Sequence, residues 1–191
     1  MNDVMASYIT FTGGTAQQQQ AIRDAHDALT VIVPEARDLA AQRGGPFSVW
    51  FGTGSEAPVR AAYDAVATGL AGASFWYDLT DSPTILLVPA GCVLFLDYES
   101  NGVTAQVWEG FWTNYYLDRR RAGLWLAGSI VHEAVLAFAS EVMDYWQVDS
   151  VDSASALAAS SPTAAVRCAV NLEGYVVDLL DHQPTPHPGG G

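Results

Sequence analysis

Apolar residues recur at spacings of three, four and seven from Thr15 onward, with Ile22, Ala25, Leu29, Ile32 and Leu39 on one helical face. The spacing predicts a long helix, kinked or interrupted at Pro34, which offers no N–H, and ended by Gly44-Gly45-Pro46. The first dozen residues, up to Gly13-Gly14, read as an irregular or strand-like lead-in. Phe47-Ser48-Val49-Trp50-Phe51, closed by Gly52 and Gly54, reads as a strand. Val59, Tyr63, Val66 and Leu70 then mark a second helix from about Glu56 to Leu70, with Pro58 in its first turn. Residues 74–108 change to short apolar runs between turn residues. The strand candidates there are Phe75–Leu79, Ile85–Val88, Val93–Tyr98 and Val103–Trp108, with a hairpin signal at Asn101-Gly102. Helical spacing returns from Arg119 to Met143, and two further helices fit 151–160 and 162–180. Helices, a small sheet, then helices make the class α+β.

The chain of 191 residues is half hydrophobic, with a mean hydropathy of +0.13, so residues 1–181 read as one domain with a real core. The tail from 182 to 191 ends in Gly189-Gly190-Gly191 after three prolines and reads as loose. No apolar run approaches the ~18–20 residues of a membrane span, and the N-terminus lacks a basic-then-apolar leader pattern. Twenty-one acids face eight arginines, a net charge of −13 that repels nucleic acid and anionic membranes. Arg119, Arg120 and Arg121 form the one basic cluster and read as a solvated helix face beside Asp118. Lysine is absent, which excludes Schiff-base chemistry on a side chain. Two cysteines, Cys92 and Cys168, are too few for a disulfide scaffold; Cys168, beside Arg167, reads as a buried thiol among Val166 and Val170.

One segment carries recognisable chemistry: Gly128-Ser129-Ile130-Val131-His132-Glu133-Ala134-Val135-Leu136. A zinc protease needs two imidazoles one helical turn apart, with a glutamate after the first to take a proton from metal-bound water. Here the first histidine is His132 and the glutamate is Glu133, but Leu136 stands one turn on. Further matches follow in order along the chain: Trp50-Phe51-Gly52 after the first long helix, Phe111-Trp112, "RAGLWLAGSIVHE" at 121–133, then Asn171 and Tyr175 in the last helix. In this order they resemble the signatures of the deuterolysin and peptidyl-Lys metalloendopeptidases, the aspzincins, with "KAGTLIHE" at the zinc helix and "NADSYEYF" in the last helix.

That resemblance implies a mainly helical zincin-like domain with a small antiparallel-rich sheet. It makes His132 the first zinc ligand and Glu133 the general base, with Leu136 in place of the second ligand. The third ligand of the family is an aspartate in a "GTxD" element, for which Asp144 is the nearest match, although Glu141-Val142-Met143 replace the Gly-Thr. The oxyanion tyrosine falls by spacing at Gln147, with Tyr145 as a substitute; of the lysine-selecting acids Glu173 is kept and Val176 replaces the other. His132 and Asp144 alone fall short of the three protein ligands a zinc site uses, so zinc is not expected. His26, His182 and His187 have no spacing that places them beside His132.

The expectation is therefore a catalytically inactive metallopeptidase-like protein. Its former cleft would bind a small aromatic molecule, such as a pigment, non-covalently or through Cys92 or Cys168. The lining would come from His132, Glu133, Leu136, Trp108, Phe111, Trp112, Tyr145, Trp146 and Tyr175. Two alternatives stay open: an interaction or storage protein with a relic cleft, and an active zinc metalloendopeptidase with an atypical metal site. Members of the family are secreted and disulfide-bonded, a pattern that two cysteines do not follow, so the reading places the chain inside the cell.

Overall fold

The computed structural model describes residues 9–80, 94–99, 102–107 and 119–182. Helix α1 spans Ala16–Ala41 and starts at a capping box: the Thr15 hydroxyl accepts from the Gln18 N–H at 3.3 Å, and the Gln18 side chain accepts from the Thr15 N–H at 2.7 Å. The helix continues through Pro34, so the expected interruption is absent. A proline inside a helix costs about 3 kcal/mol. Against that cost Ile32, Val33, Ala36 and Ala40, on both sides of it, are fully buried, and α1 packs along the helix α3 at Glu56–Gly72.

The segment expected as a strand, Phe47–Phe51, is instead a short helix, α2. Its burial explains the correction. Phe47, Trp50 and Phe51 are buried while Ser48 and Val49 are exposed, the i, i+3, i+4 spacing of a helix; an alternating strand would bury Val49. The tryptophan is seated on the last helix, α7 at Ala169–His182. Its indole N–H donates to Asp178 Oδ2 at 3.0 Å, and its ring lies where a side chain at Gly174 would stand. The Trp50 carbonyl accepts from Asn171 Nδ2 at 2.6 Å, and the same amide donates to the Ala154 carbonyl at 2.9 Å. One buried asparagine on α7 thus ties α2 to α5 at Val151–Ser160.

The described strands are β1 at Ile9–Gly13, β2 at Ser74–Leu79, β3 at Leu94–Glu99 and β4 at Gly102–Val107. They form one sheet in the order β1-β2-β4-β3. The α+β class holds, and the sheet is mixed rather than antiparallel-rich: β1 pairs parallel to β2, β2 parallel to β4, and β3 antiparallel to β4. The helices between β1 and β2 make the long crossover that a parallel pair requires. Around the Asn101-Gly102 signal the hairpin forms, with Glu99 opposite Gly102. The candidate strand Ile85–Val88 lies outside the described residues. Phe75, Tyr77 and Leu79 of β2 face the helices, while Trp76 on the other face is 47% exposed.

Helix α4, Arg119–Phe138, ends short of the expected Met143. Past it the backbone turns back and pairs with the chain before α7: the Met143 N–H donates to the Arg167 carbonyl at 2.9 Å, and the Ala169 N–H donates to the Met143 carbonyl at 3.1 Å. This bridge at Cys168 divides the single helix expected over 162–180 into α6 at Pro162–Ala165 and α7. α4 buries Ala122, Leu126, Ala127, Ile130, Val131, Ala134 and Val135 against α1, α3 and α7, and also meets β3. Gly174→Ala tests the seat of Trp50. Helix propensity alone favours alanine by about 1 kcal/mol, but a Cβ would stand 2.1 Å from the indole, and overpacking of this kind costs about 1–3 kcal/mol. The expected outcome in urea unfolding is a net loss of up to about 2 kcal/mol.

Candidate functional site

The site forms where α4 and α7 approach closely at Gly128. On α4, Gly128, His132 and Leu136 follow one another at intervals of four, so they lie on one stripe of the helix. On α7, Glu173 and Val177 lie over Gly128: a Cβ there would stand 2.9 Å from both Glu173 Oε1 and Val177 Cγ2. The missing side chain lets Glu173 lie on the helix surface and reach along it. His132 Nδ1–H donates to Glu173 Oε2 at 3.0 Å, with 19% and 30% of the two side chains exposed. The carboxylate can only accept, so Nδ1 carries the proton, and Nε2 is the nitrogen left for other chemistry when the ring is neutral.

Burial depresses the basicity of this ring. The hydrogen bond to Glu173 and the charges of Glu173, Glu133 and Asp144 outweigh burial, and the His132 pKa rises above its ordinary value. Asp144 therefore lies within electrostatic reach of His132, brought there by the Met143–Cys168 bridge one residue before it. Leu136 is half-buried against the core. The donor pattern does not match a zinc site: an isobutyl group stands one turn after His132. Among the described residues no three His, Cys, Asp or Glu side chains are arranged to hold a metal ion.

The sequence-predicted residues divide three ways. His132, Glu133, Leu136 and Asp144 are brought to one region, with Tyr145 half-buried and Trp146, 83% exposed, on the segment that follows. Trp108, Phe111, Trp112, Cys92 and His187 lie outside the described residues. Tyr175 is a correction, because it is fully buried and forms no cleft wall. Its ring packs against Phe47, Phe51 and Tyr63, and its hydroxyl donates to the Gly44 carbonyl at 3.2 Å. It points to the α1–α2 side of α7, two positions from Glu173, which on a helix is a turn of about 200°.

Other polar candidates lie elsewhere. His26 is buried under the sheet, joined to the Tyr77 hydroxyl, and His182 pairs with Asp178 at the exposed end of α7. Cys168 is fully buried, and burial raises its pKa, which suits an inert thiol. In the basic cluster Arg120 and Arg121 are exposed; Arg120 pairs with Asp181 at 2.9 Å and Arg121 lies over the Trp125 ring. The residue whose role sequence reasoning missed is Glu173. The resemblance makes it a selector of substrate lysine, whereas here its carboxylate is engaged by His132. A glycine one turn before His132 was the available signal, since it opens space for a neighbour from another element.

Comparison with known proteins fits this geometry at the level of the fold. No protein-family model matches the chain, and no curated protein matches it. Among solved structures, a zinc peptidase from Grifola frondosa is similar with a TM-score of 0.62 and 22% identity, covering 90% of this chain and 100% of that one. The fold is α+β and zincin-like.

The His132–Glu173 pair makes a signed prediction. Glu173→Gln removes the acceptor charge and leaves burial, the largest single influence, less opposed, so the NMR-titrated His132 pKa falls. Because its folded pKa is raised, the pair's stabilisation is present below about pH 6.5 and lost as pH rises through the folded value. The variant should therefore lose more stability at pH 5.5 than at pH 9, checked by urea unfolding at both.

Proposed function

We propose that this protein is a non-catalytic, metallopeptidase-like binding protein that uses the face around His132 to hold a small aromatic molecule. The observation that carries the reading is Leu136, one helical turn beyond a histidine whose Nδ1 is already oriented by Glu173. A carboxylate that orients a histidine is a common support for a metal ligand. With one alkyl group in the ligand stripe, that orientation serves a hydrogen bond instead. Glu133 has no acidified water to deprotonate: bulk water lies roughly 11 pK units above an ordinary glutamate, against about 3 for water on catalytic zinc. The descent from an aspzincin-like peptidase belongs to this proposal, supported by the order of the sequence signatures and by the similar fold.

A ligand at this face would meet an apolar floor at Leu136, aromatic surface from Tyr145 and the exposed Trp146, and polar handles at His132 and Glu133. Few, directed polar groups in apolar surroundings suit a flat molecule with one or two hydrogen-bonding atoms. Native mass spectrometry with an absorption spectrum, on protein from its natural source, tests this. The expected result is a bound organic mass absorbing beyond the reach of tryptophan and tyrosine. Protein that carries and takes up no small molecule overturns the ligand and leaves an interaction role. Zinc titration tests the loss of catalysis: wild type should bind zinc weakly, and Leu136→His should tighten binding at least about tenfold by adding one ligand bond. One tightly held zinc in the wild type, with peptide hydrolysis, would sink the non-catalytic reading.

A further inference from the structure

We propose that His26 is an acid-sensitive latch between α1 and the sheet, and that its protonation loosens the β1–β2 layer from the helices. The ring lies 2% exposed, edge-on to Phe75 with ring centroids 4.7 Å apart, and Nε2 is joined to the Tyr77 hydroxyl at 2.6 Å. Its second nitrogen, Nδ1, is buried with no hydrogen-bond partner among the described residues. In the neutral ring this nitrogen can stay a bare acceptor, which is tolerable. The imidazolium must carry N–H on both nitrogens, and the Nδ1–H would then be a buried charged donor without an acceptor.

Among the described residues no nearby charge relieves that cost. On α1 itself Arg23 lies over the Phe11 ring, Asp24 accepts from Gln20, and Asp27 is exposed. From β2 comes Tyr77, a neutral phenol whose burial raises its pKa, and Asp78, which accepts from Thr80. From α3, Tyr63 donates to the Leu172 carbonyl and Asp64 binds Arg37. From α4, His132 is held by Glu173, and Glu133 has interactions of its own. Burial lowers the His26 pKa to about 4.

The position makes the cost local to one junction. Phe11 of β1 stacks on Tyr77, Arg23 lies over Phe11, and Gln19 donates to the Gly13 carbonyl at 3.1 Å. α1 therefore grips β1 and β2 through a short series of contacts with His26 among them. The folded pKa lies below the unfolded value, so the stabilisation is complete above about pH 6.5 and is lost as pH falls toward 4.

The test compares wild type with His26→Gln, which can keep a bond to Tyr77 but does not titrate, by urea unfolding at pH 7.5 and pH 5 and by amide exchange at both. Relative to the variant, the wild-type unfolding constant should rise about thirtyfold on acidification, and amides of β1 and β2 should lose protection before those of α7. The comparison cancels the opposite contribution of His132 and the relief of the −13 charge. Equal acid responses in the two proteins overturn the latch, as does acid exchange that is uniform across the molecule. If His26→Gln fails to fold, NMR titration of His26 in the wild type decides: a pKa near 6.5 overturns the proposal, and one near 4 supports it.

Discussion

The close approach of α4 and α7 at Gly128 governs the site. A side chain there would displace Glu173 and Val177, and with Glu173 displaced His132 would lose the acceptor that fixes its tautomer. The contact is held from both ends. Arg120 at the start of α4 binds Asp181 at the end of α7, and the Tyr63 hydroxyl on α3 donates to the Leu172 carbonyl beside Glu173. The surface ion pair contributes at most about 1 kcal/mol. Burial of Ile130, Val131, Ala134 and Val135 of α4 in one core with Leu172 and Val176 of α7 dominates, so apolar burial sets the geometry in which the polar pair meets.

Much of this was legible in the sequence because it rests on periodicity. The stripes Ile22–Leu29–Ile32, Val59–Tyr63–Val66–Leu70 and the β2 alternation are buried where the pattern placed them. The failures come where tertiary contact outranks local pattern. Phe47–Phe51 is five residues of mostly apolar character between glycines, which suits a strand or a helical turn equally. The choice is made by Gly174, more than a hundred residues away, whose bare backbone receives Trp50. The break at Cys168 likewise comes from Met143, through a backbone pairing that leaves no trace in side-chain pattern.

At the candidate site the same division applies. His132, Glu133 and Leu136 were readable because helical spacing alone relates them. Tyr175 was misassigned because a motif position says which helix a residue occupies and not which side of it faces the core. Tyr175 and Glu173 point to opposite sides of α7, one into a cluster of aromatic rings and the other onto α4. Glu173 could be named from sequence but its partner could not, since that depends on the void at Gly128.

The described contacts join the elements that meet at the candidate site through the protein's own groups. In a zinc site, ligands from separate elements are drawn together by the ion, and that binding is part of folding. Here the segment after α4 is fixed by the Met143–Cys168 backbone bridge, α7 by packing and by Asn171, and His132 by Glu173. These elements are thus joined by backbone pairing, apolar packing and side-chain hydrogen bonds. Leucine suits the half-buried position 136 beside the core better than an unpaired imidazole would. On the function proposed above, the architecture of a cleft outlasts its catalysis, and what the cleft holds would be set by one alkyl group, one oriented histidine and the aromatic side chains of the segment after α4.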